Sequence, residues 1–162
     1  MRKNIRKIAR RARGITMVES LVALVVISVG MLGIAGLYLS SLQAGRSANL
    51  RVQAVNLAAE MADRIRANRE ALGAYALASG TLPAAVACSA SNCTPAQLAQ
   101  SDQNVWVTAL RAALPGTANG SIVVTDLRAQ APPLPLLQYQ ITVSWREAGS
   151  DSDSTYRLVI EQ

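Results

Sequence analysis

One apolar run dominates the sequence: Ile15 to Leu42 spans 28 residues and contains a single charged side chain, Glu19. About 20 consecutive apolar residues are enough for a helix to cross a bilayer, so the run predicts a membrane helix. A carboxylate deep in a membrane costs about 2.5–3.5 kcal/mol. Glu19 therefore needs either a position near the membrane surface, where its side chain can reach water, or a partner of opposite charge.

The basic residues are concentrated in front of this run. Seven of the 16 lysines and arginines lie in the first 13 positions: Arg2, Lys3, Arg6, Lys7, Arg10, Arg11 and Arg13. Residues 15–162 carry 9 basic and 10 acidic side chains, so the body of the protein is close to neutral. A basic cluster beside an apolar segment marks the cytoplasmic side of a membrane protein. A nucleic-acid interface would need a basic face, which we do not expect in the body of the chain.

Three N-terminal arrangements are compatible with this pattern. A secretory signal has an apolar stretch of only about 7–15 residues before its cleavage site, and an uncleaved signal anchor gives no reason for an acidic residue. The third arrangement is a cut after Gly14, which would give Ile15 a free α-amine close in sequence to Glu19. A carboxylate is stabilised in the first turn of a helix, and Glu19 could then pair with its own amine or with that of a neighbour.

The segment Gly14-Ile15-Thr16-Met17-Val18-Glu19, followed by the apolar residues 21–26, resembles the prepilin signature of type IV pilins and type II secretion pseudopilins. The resemblance implies a basic leader, residues 1–14, that a prepilin peptidase removes between Gly14 and Ile15. It also implies methylation of Ile15, at a position where Phe or Met is commoner in the family. Residues 15–42 would be retained as a membrane anchor and filament core, with Glu19 as the acidic assembly residue.

Residues 43–72 are amphipathic and continue the helix. Apolar residues recur at intervals near 3.6, as expected for one face of a helix: Leu50, Ala54, Leu57, Met61, Ile65 and Leu72. No proline interrupts the chain from Ile15 to Leu82, so we predict one nearly continuous helix from Ile15 to about Leu72. Residues 61–69 and 102–116 resemble the PilV minor pilin, or type IV pilus modification, family. The charged residues of the segment 61–69 would form either a solvated helix face or a subunit contact.

Residues 73–162 predict a small globular region. The stretch 73–101 is rich in Ala, Ser, Gly, Thr and Pro and predicts a connecting loop, followed by a short helix that ends at Pro115-Gly116. Three segments have the composition or alternation of strands: 121–126, 139–145 and 156–160. The aromatic residues Trp106, Tyr139, Trp145 and Tyr156 are expected in or beside the core. We therefore predict an α+β, pilin-like fold, in which the C-terminal half of a long N-terminal helix packs on an antiparallel sheet of three to four strands.

Cys88 and Cys93 are the only cysteines of the chain. Two thiolates alone make a poor zinc site, whereas disulfides persist outside the cytoplasmic membrane. We therefore expect a disulfide, with two free thiols as the alternative. The chain has no histidine, which removes imidazole as a general base or a metal ligand. We expect no catalytic residue, no metal, no cofactor and no small-molecule substrate.

The resemblance implies a minor pilin that initiates, tips or modifies a type IV pilus. A minor pseudopilin of a type II secretion system is the alternative, because the two classes share the same kind of anchor. Expected partners are other pilin subunits, contacted through the N-terminal helices, the prepilin peptidase and the bacterial inner membrane. The expected location is a single pass of that membrane with a periplasmic C-terminal domain, and later the pilus. An enzyme on a signal anchor is less well supported, because no nucleophile–base pair is evident.

Overall fold

The structure is a computed structural model that describes residues 16–88, 92–127 and 137–162. The predicted leader, residues 1–14, and the predicted cleavage and methylation positions, Gly14 and Ile15, lie outside the described residues. In chain order the elements are α1 Met17–Ala67, a 3₁₀ segment Arg69–Tyr75, α2 Pro95–Ala113, β1 Asn119–Asp126, β2 Leu137–Trp145 and β3 Ser154–Glu161. A long N-terminal helix followed by a small antiparallel sheet confirms the predicted α+β, pilin-like fold.

The chain divides into two compact units, Met1–Ala44 and Gly45–Gln162. In the first unit, every residue from Thr16 to Ala44 is exposed. Helix α1 is long and apolar enough to cross a membrane, by length and composition. In the second unit, the buried apolar side chains of the described residues form one cluster. The hydrophobic core therefore belongs to the residues that follow Gly45.

The antiparallel sheet has the strand order β1-β2-β3, with β2 in the centre. Buried and half-buried residues alternate along the whole of β2, as expected for a strand with one face on the core. The alternating residues of the predicted strand 139–145 are all buried: Tyr139, Ile141, Val143 and Trp145. Both outer strands pair with β2 along their length, so β2 is the strand around which the core is organised.

The second half of α1 packs on the inner face of the sheet. Its buried residues belong to the same cluster as those of β2: Ala54, Ala58, Met61, Ala62 and Ile65. Two hydrogen bonds fix the direction of the helix on the sheet. Ser47 Oγ donates to Glu147 Oε1 at 3.1 Å, and the Tyr139 hydroxyl donates to the Leu72 carbonyl at 3.0 Å. The start of this half thus lies beside the end of β2, and the 3₁₀ segment that follows α1 lies beside the start of β2, so α1 and β2 run antiparallel.

Helix α2 and strand β1 approach closely at Gly120. A Cβ atom at this position would overlap the ring of Trp106 and would lie 2.8 Å from Cδ1 of Leu110. Trp106 is buried, and its Nε1 donates to the Leu57 carbonyl at 2.8 Å. The glycine therefore makes room for an aromatic side chain that joins α2 to both α1 and β1.

Helix α1 ends earlier than predicted, at Ala67 rather than near Leu72. Asn68 leaves the helical conformation, with φ −115° and ψ 61°, and its side chain donates to the Pro95 carbonyl at 2.9 Å. This contact with a distant part of the chain competes with continuation of the helix, and no local pattern indicates it. Leu72, the last residue of the predicted apolar helix face, lies outside α1, and its side chain is half exposed.

Helix α2 begins inside the segment predicted as a loop, residues 73–101. Thr94 is its N-cap: the Thr94 hydroxyl accepts from the Gln97 N–H at 3.3 Å, and the Gln97 side chain accepts from the Thr94 N–H at 3.0 Å. Pro95 lies in the first turn, where its missing N–H is not needed. A threonine followed three positions later by glutamine is the sequence signature of a capping box, so the sequence carried the signal for this earlier start.

Candidate assembly site

Glu19 lies in the first turn of α1, where the free amides of a helix stabilise a carboxylate. Its backbone N–H donates to Thr16 Oγ1 at 3.3 Å. Its side chain is exposed, and it is the only charged residue from Thr16 to Gly45. The predicted pairing of Glu19 with an α-amine at Ile15 involves a residue outside the described part of the chain and stays a prediction.

Apolar side chains cover α1 on all sides between Met17 and Leu42. The large ones are 57–89 % exposed. A helix that is apolar all round is normally buried in a membrane or against other proteins, and a contiguous apolar surface of this extent marks an interaction site. The hydroxyl of Ser28 within this stretch donates to the Leu24 carbonyl at 2.7 Å, so this polar group is satisfied by the helix itself. The whole stretch is therefore suited to an apolar environment.

A network of polar side chains joins α1, the 3₁₀ segment and α2. Arg64 lies 2.9 Å from Asp102 Oδ1 and 2.7 Å from Glu60 Oε1. Tyr75 is fully buried, and its hydroxyl donates to Asp102 Oδ2 at 2.7 Å. Both oxygens of the largely buried Asp102 therefore have a partner, which a buried carboxylate needs.

The pKa values in this region favour fixed protonation states. The hydrogen bond to Glu60 raises the pKa of Arg64. Burial, and then the hydrogen bond to Asp102, raises the pKa of Tyr75. Burial also raises the pKa of Tyr139. Arg64 therefore stays a cation and both tyrosines stay neutral near neutral pH, so the network acts as a structural anchor.

This network changes the interpretation of the segment 61–69. Arg64 and Asn68 bond to residues of α2, so these two side chains join the elements of the fold rather than forming a purely solvated face, and the predicted subunit contact stays a prediction. Asp63 and Arg66 are exposed and pair with each other at 2.9 Å. Asp102 was not foreseen as the partner of Arg64. Asp102 lies on the buried face of α2, where a carboxylate needs a partner of opposite charge. This burial is the feature that could have indicated the pair.

The segment 80–88 lies along α2 without regular secondary structure of its own. Four side chains of α2 donate to its backbone carbonyls, at 2.7–3.4 Å: Gln100 to Ala84, Ser101 to Val86, Asn104 to Pro83 and Arg111 to Gly80. Cys88 and Cys93, which the sequence predicts to pair, are joined in a disulfide with a Cα–Cα distance of 5.4 Å. The loop between the 3₁₀ segment and α2 is therefore held by side chains and by a covalent bond.

The described residues contain no group of three or more His, Cys, Asp or Glu side chains that could hold a metal ion. At the turn between β2 and β3, the carboxylate of Asp153 lies 2.7 Å from the guanidinium of Arg146. This acidic side chain is therefore engaged by a cation of the protein itself.

Two protein-family models match parts of this chain. Residues 9–35 match the prokaryotic N-terminal methylation motif, a range that includes Gly14, Ile15 and Glu19. Residues 36–104 match the Tt1218-like family, described as type IV pilin Tt1218. No curated protein and no solved structure gives a significant match. The two family matches adjoin and together cover residues 9–104, so this part of the chain is similar to type IV pilins that carry an N-terminal methylation motif.

Proposed function

We propose that the protein is a minor pilin, which enters a type IV pilus through its N-terminal helix and initiates, tips or modifies the filament. The observation that carries the proposal is the exposed apolar surface of α1 between Met17 and Leu42, with Glu19 at its N-terminal end. Lipid would cover this surface in the membrane, and the helices of neighbouring subunits would replace the lipid in a filament. The resemblance of residues 61–69 and 102–116 to the PilV family supports a minor rather than a major subunit.

Glu19 would set the position of each subunit along the filament. A carboxylate among packed apolar helices needs a partner of opposite charge. The α-amine of a neighbouring subunit that has been cut before Ile15 is such a partner, because it lies at the same end of the same helix. Each subunit would then be held at the height at which its Glu19 meets the amine of its neighbour.

Processing and location follow from the same anchor. A prepilin peptidase would remove residues 1–14 and methylate Ile15. The apolar helix would then cross the inner membrane once, with residues 45–162 on the periplasmic side, where the disulfide of Cys88 and Cys93 is stable. The protein would act by assembly rather than by catalysis, and substrate turnover by the purified mature protein would contradict this.

A minor pseudopilin of a type II secretion system is the alternative, because a prepilin-type anchor serves both machines. A deletion strain separates the two. Loss of surface pili and of pilus-dependent behaviour, with normal protein secretion, supports the minor pilin. Loss of secreted proteins with intact pili supports the pseudopilin.

Replacement of the acidic residue tests the assembly mechanism. We expect the Glu19→Ala protein to insert into the membrane normally. Its amount in filaments sheared from the cell surface should fall at least about tenfold, because the α-amine of the neighbouring subunit would lose its partner, and an unpaired charge costs several kcal/mol at membrane depth. The matched control is Ser20→Ala, at the adjacent exposed position, which should enter filaments like the unmodified protein. Equal incorporation of the Glu19→Ala protein would rule the mechanism out.

A further inference from the structure

Among the residues that the structure describes, the sheet has one covered edge and one open edge. On the β1 side, Leu77 forms an antiparallel bridge with Ile122, with two hydrogen bonds of 2.9 Å. On the other side, β3 is the last strand of the sheet in the part of the chain that the structure describes. An open edge presents N–H and C=O groups to which another strand can bind.

The hydrogen bonds at the start of β2 show which groups of β3 point outward. Leu137 and Gln162 exchange both backbone hydrogen bonds, at 2.9 and 3.0 Å. In an antiparallel pair, such residues alternate with residues that are opposite but not bonded, so the even-numbered residues of β3 bond to β2. The odd-numbered residues therefore direct their N–H and C=O groups to the open edge: Thr155, Arg157, Val159 and Glu161.

We propose that this edge pairs antiparallel with the same edge of a second copy of the protein, with the two Val159 residues opposite each other. Copies related by a twofold axis use the same patch twice, so outward-directed odd residues must face odd residues. In this register, Arg157 of each copy faces Glu161 of the other. The outer face of the joined sheet carries two Arg157–Glu161 pairs with the valines between them.

The charges of β3 select this register over its neighbours. A pair centred on Arg157 or on Glu161 would place like charges directly opposite each other, which is unfavourable. The intermediate registers place a charge opposite Val159. The chosen register also places the valines, each 46 % exposed, against one another. On the inner face it brings the half-buried Leu158 opposite Ile160 of the other copy.

The pairing has a consequence for orientation. The twofold axis is normal to the joined sheet and reverses every direction within it. Because the contacts of Ser47 with Glu147 and of Tyr139 with Leu72 lay residues 47–72 along β2, these helix segments of the two copies run antiparallel. The two Ser47 residues therefore lie at opposite ends of the pair. The inference is independent of whether the protein is a pilin or a pseudopilin.

A single cysteine tests the register in the full chain, purified in detergent micelles. Cys88 and Cys93 are bonded to each other, so the thiol of Val159→Cys is the only free one. Opposite residues of a hydrogen-bonded pair have Cα atoms about 5.5 Å apart, which a disulfide can bridge. We expect mild oxidation to give a covalent dimer.

The matched control is Thr155→Cys, on the same strand and the same face. Its two copies would lie about 27 Å apart at 3.4 Å per residue, so it should stay monomeric under the same oxidation. Failure of the Val159→Cys protein to cross-link, or equal cross-linking of both proteins, would overturn the proposal.

Charge reversal then tests the pairing itself, with the cross-linking rate of the Val159→Cys protein as the readout. Arg157→Glu and Glu161→Arg should each lower this rate by about tenfold or more, because each makes two attractive pairs repulsive. The two changes together restore opposite charges and should restore the rate, which also shows that neither change unfolds the protein. Single changes without effect, or a double change without recovery, would contradict the proposal.

Discussion

Leu72 is the one non-glycine residue with a positive φ in the described part of the chain, at φ 45° and ψ −123°. L-residues avoid this region because their Cβ crowds the backbone, and such a conformation costs about 1–3 kcal/mol. The Leu72 carbonyl accepts the hydrogen bond of the Tyr139 hydroxyl, at 3.0 Å. The contact between the 3₁₀ segment and the sheet thus maintains a strained residue just after α1.

The strain predicts an order of stability for two substitutions. We expect the free energy of unfolding of the Leu72→Gly protein to be about 1 kcal/mol higher than that of the Leu72→Ala protein, because glycine adopts positive φ freely and alanine does not. Both changes remove the same half-exposed side chain, so the comparison cancels the lost burial. Guanidinium unfolding in detergent, followed by the fluorescence of Trp106 and Trp145, measures the difference. An alanine variant as stable as the glycine variant would show that the strain is absent.

Tyr75 predicts a loss of stability in alkali. Burial raises its folded pKa above the ordinary value of 10.0, so the unfolded chain releases this proton first as the pH rises. The stabilisation is complete below about pH 10 and decreases above it. Tyr75→Phe should lower the stability at neutral pH, because Asp102 loses a hydrogen bond, and should make its decline above pH 10 less steep. Unfolding curves between pH 8 and about 11 test this, and parallel declines in both proteins would refute it.

At this scale, a sequence pattern indicates only contacts that are local. The pair of Glu60 and Arg64 follows from a spacing of four residues on a helix, and it is present at 2.7 Å. The bond from Arg64 to Asp102 joins residues 38 positions apart. No local pattern gives such a pair, because it depends on how α1 and α2 pack together.

At the scale of elements, β2 was the most predictable and the end of α1 the least. Strict alternation places Tyr139, Ile141, Val143 and Trp145, four of the five buried residues of β2, on one face, and one face of a strand must meet the core. The end of α1 depends on Asn68, whose side chain bonds to Pro95, and helix propensity carries no information on that contact. The start of α2 was predictable from the capping box at Thr94. The Ala-, Ser-, Gly-, Thr- and Pro-rich composition of residues 73–101 indicated a loop there instead.

The loop before α2 predicts a measurable effect of its disulfide. We expect replacement of both Cys88 and Cys93 by serine to lower the free energy of unfolding by about 2 kcal/mol, the value for closing a short loop. Reduction of the unmodified protein should give the same loss, and reductant should not affect the double variant. Chemical unfolding with and without a reductant checks both statements. If reduction leaves the unmodified protein as stable as before, the side chains of α2 alone hold the loop.

At the scale of the whole molecule, the two units are built for different surroundings. The described residues of the second unit, 45–162, enclose a core, whereas the described residues before them expose apolar side chains throughout. The sequence predicted this division from one apolar run, because an apolar stretch of this length is long enough to span a membrane and is unfavourable when exposed to water. What it could not predict is the pairing of whole subunits through β3, since that depends on which strand lies at the edge of the sheet.

Mass analysis of the N-terminus of the membrane-bound protein tests the prepilin interpretation most directly. If the chain is processed as proposed, the mature protein begins at Ile15, carries a methyl group on its α-amine and lacks residues 1–14. A mature protein that begins at Met1, or one cut within or after the apolar run, would contradict the proposal that this helix is a processed pilin anchor.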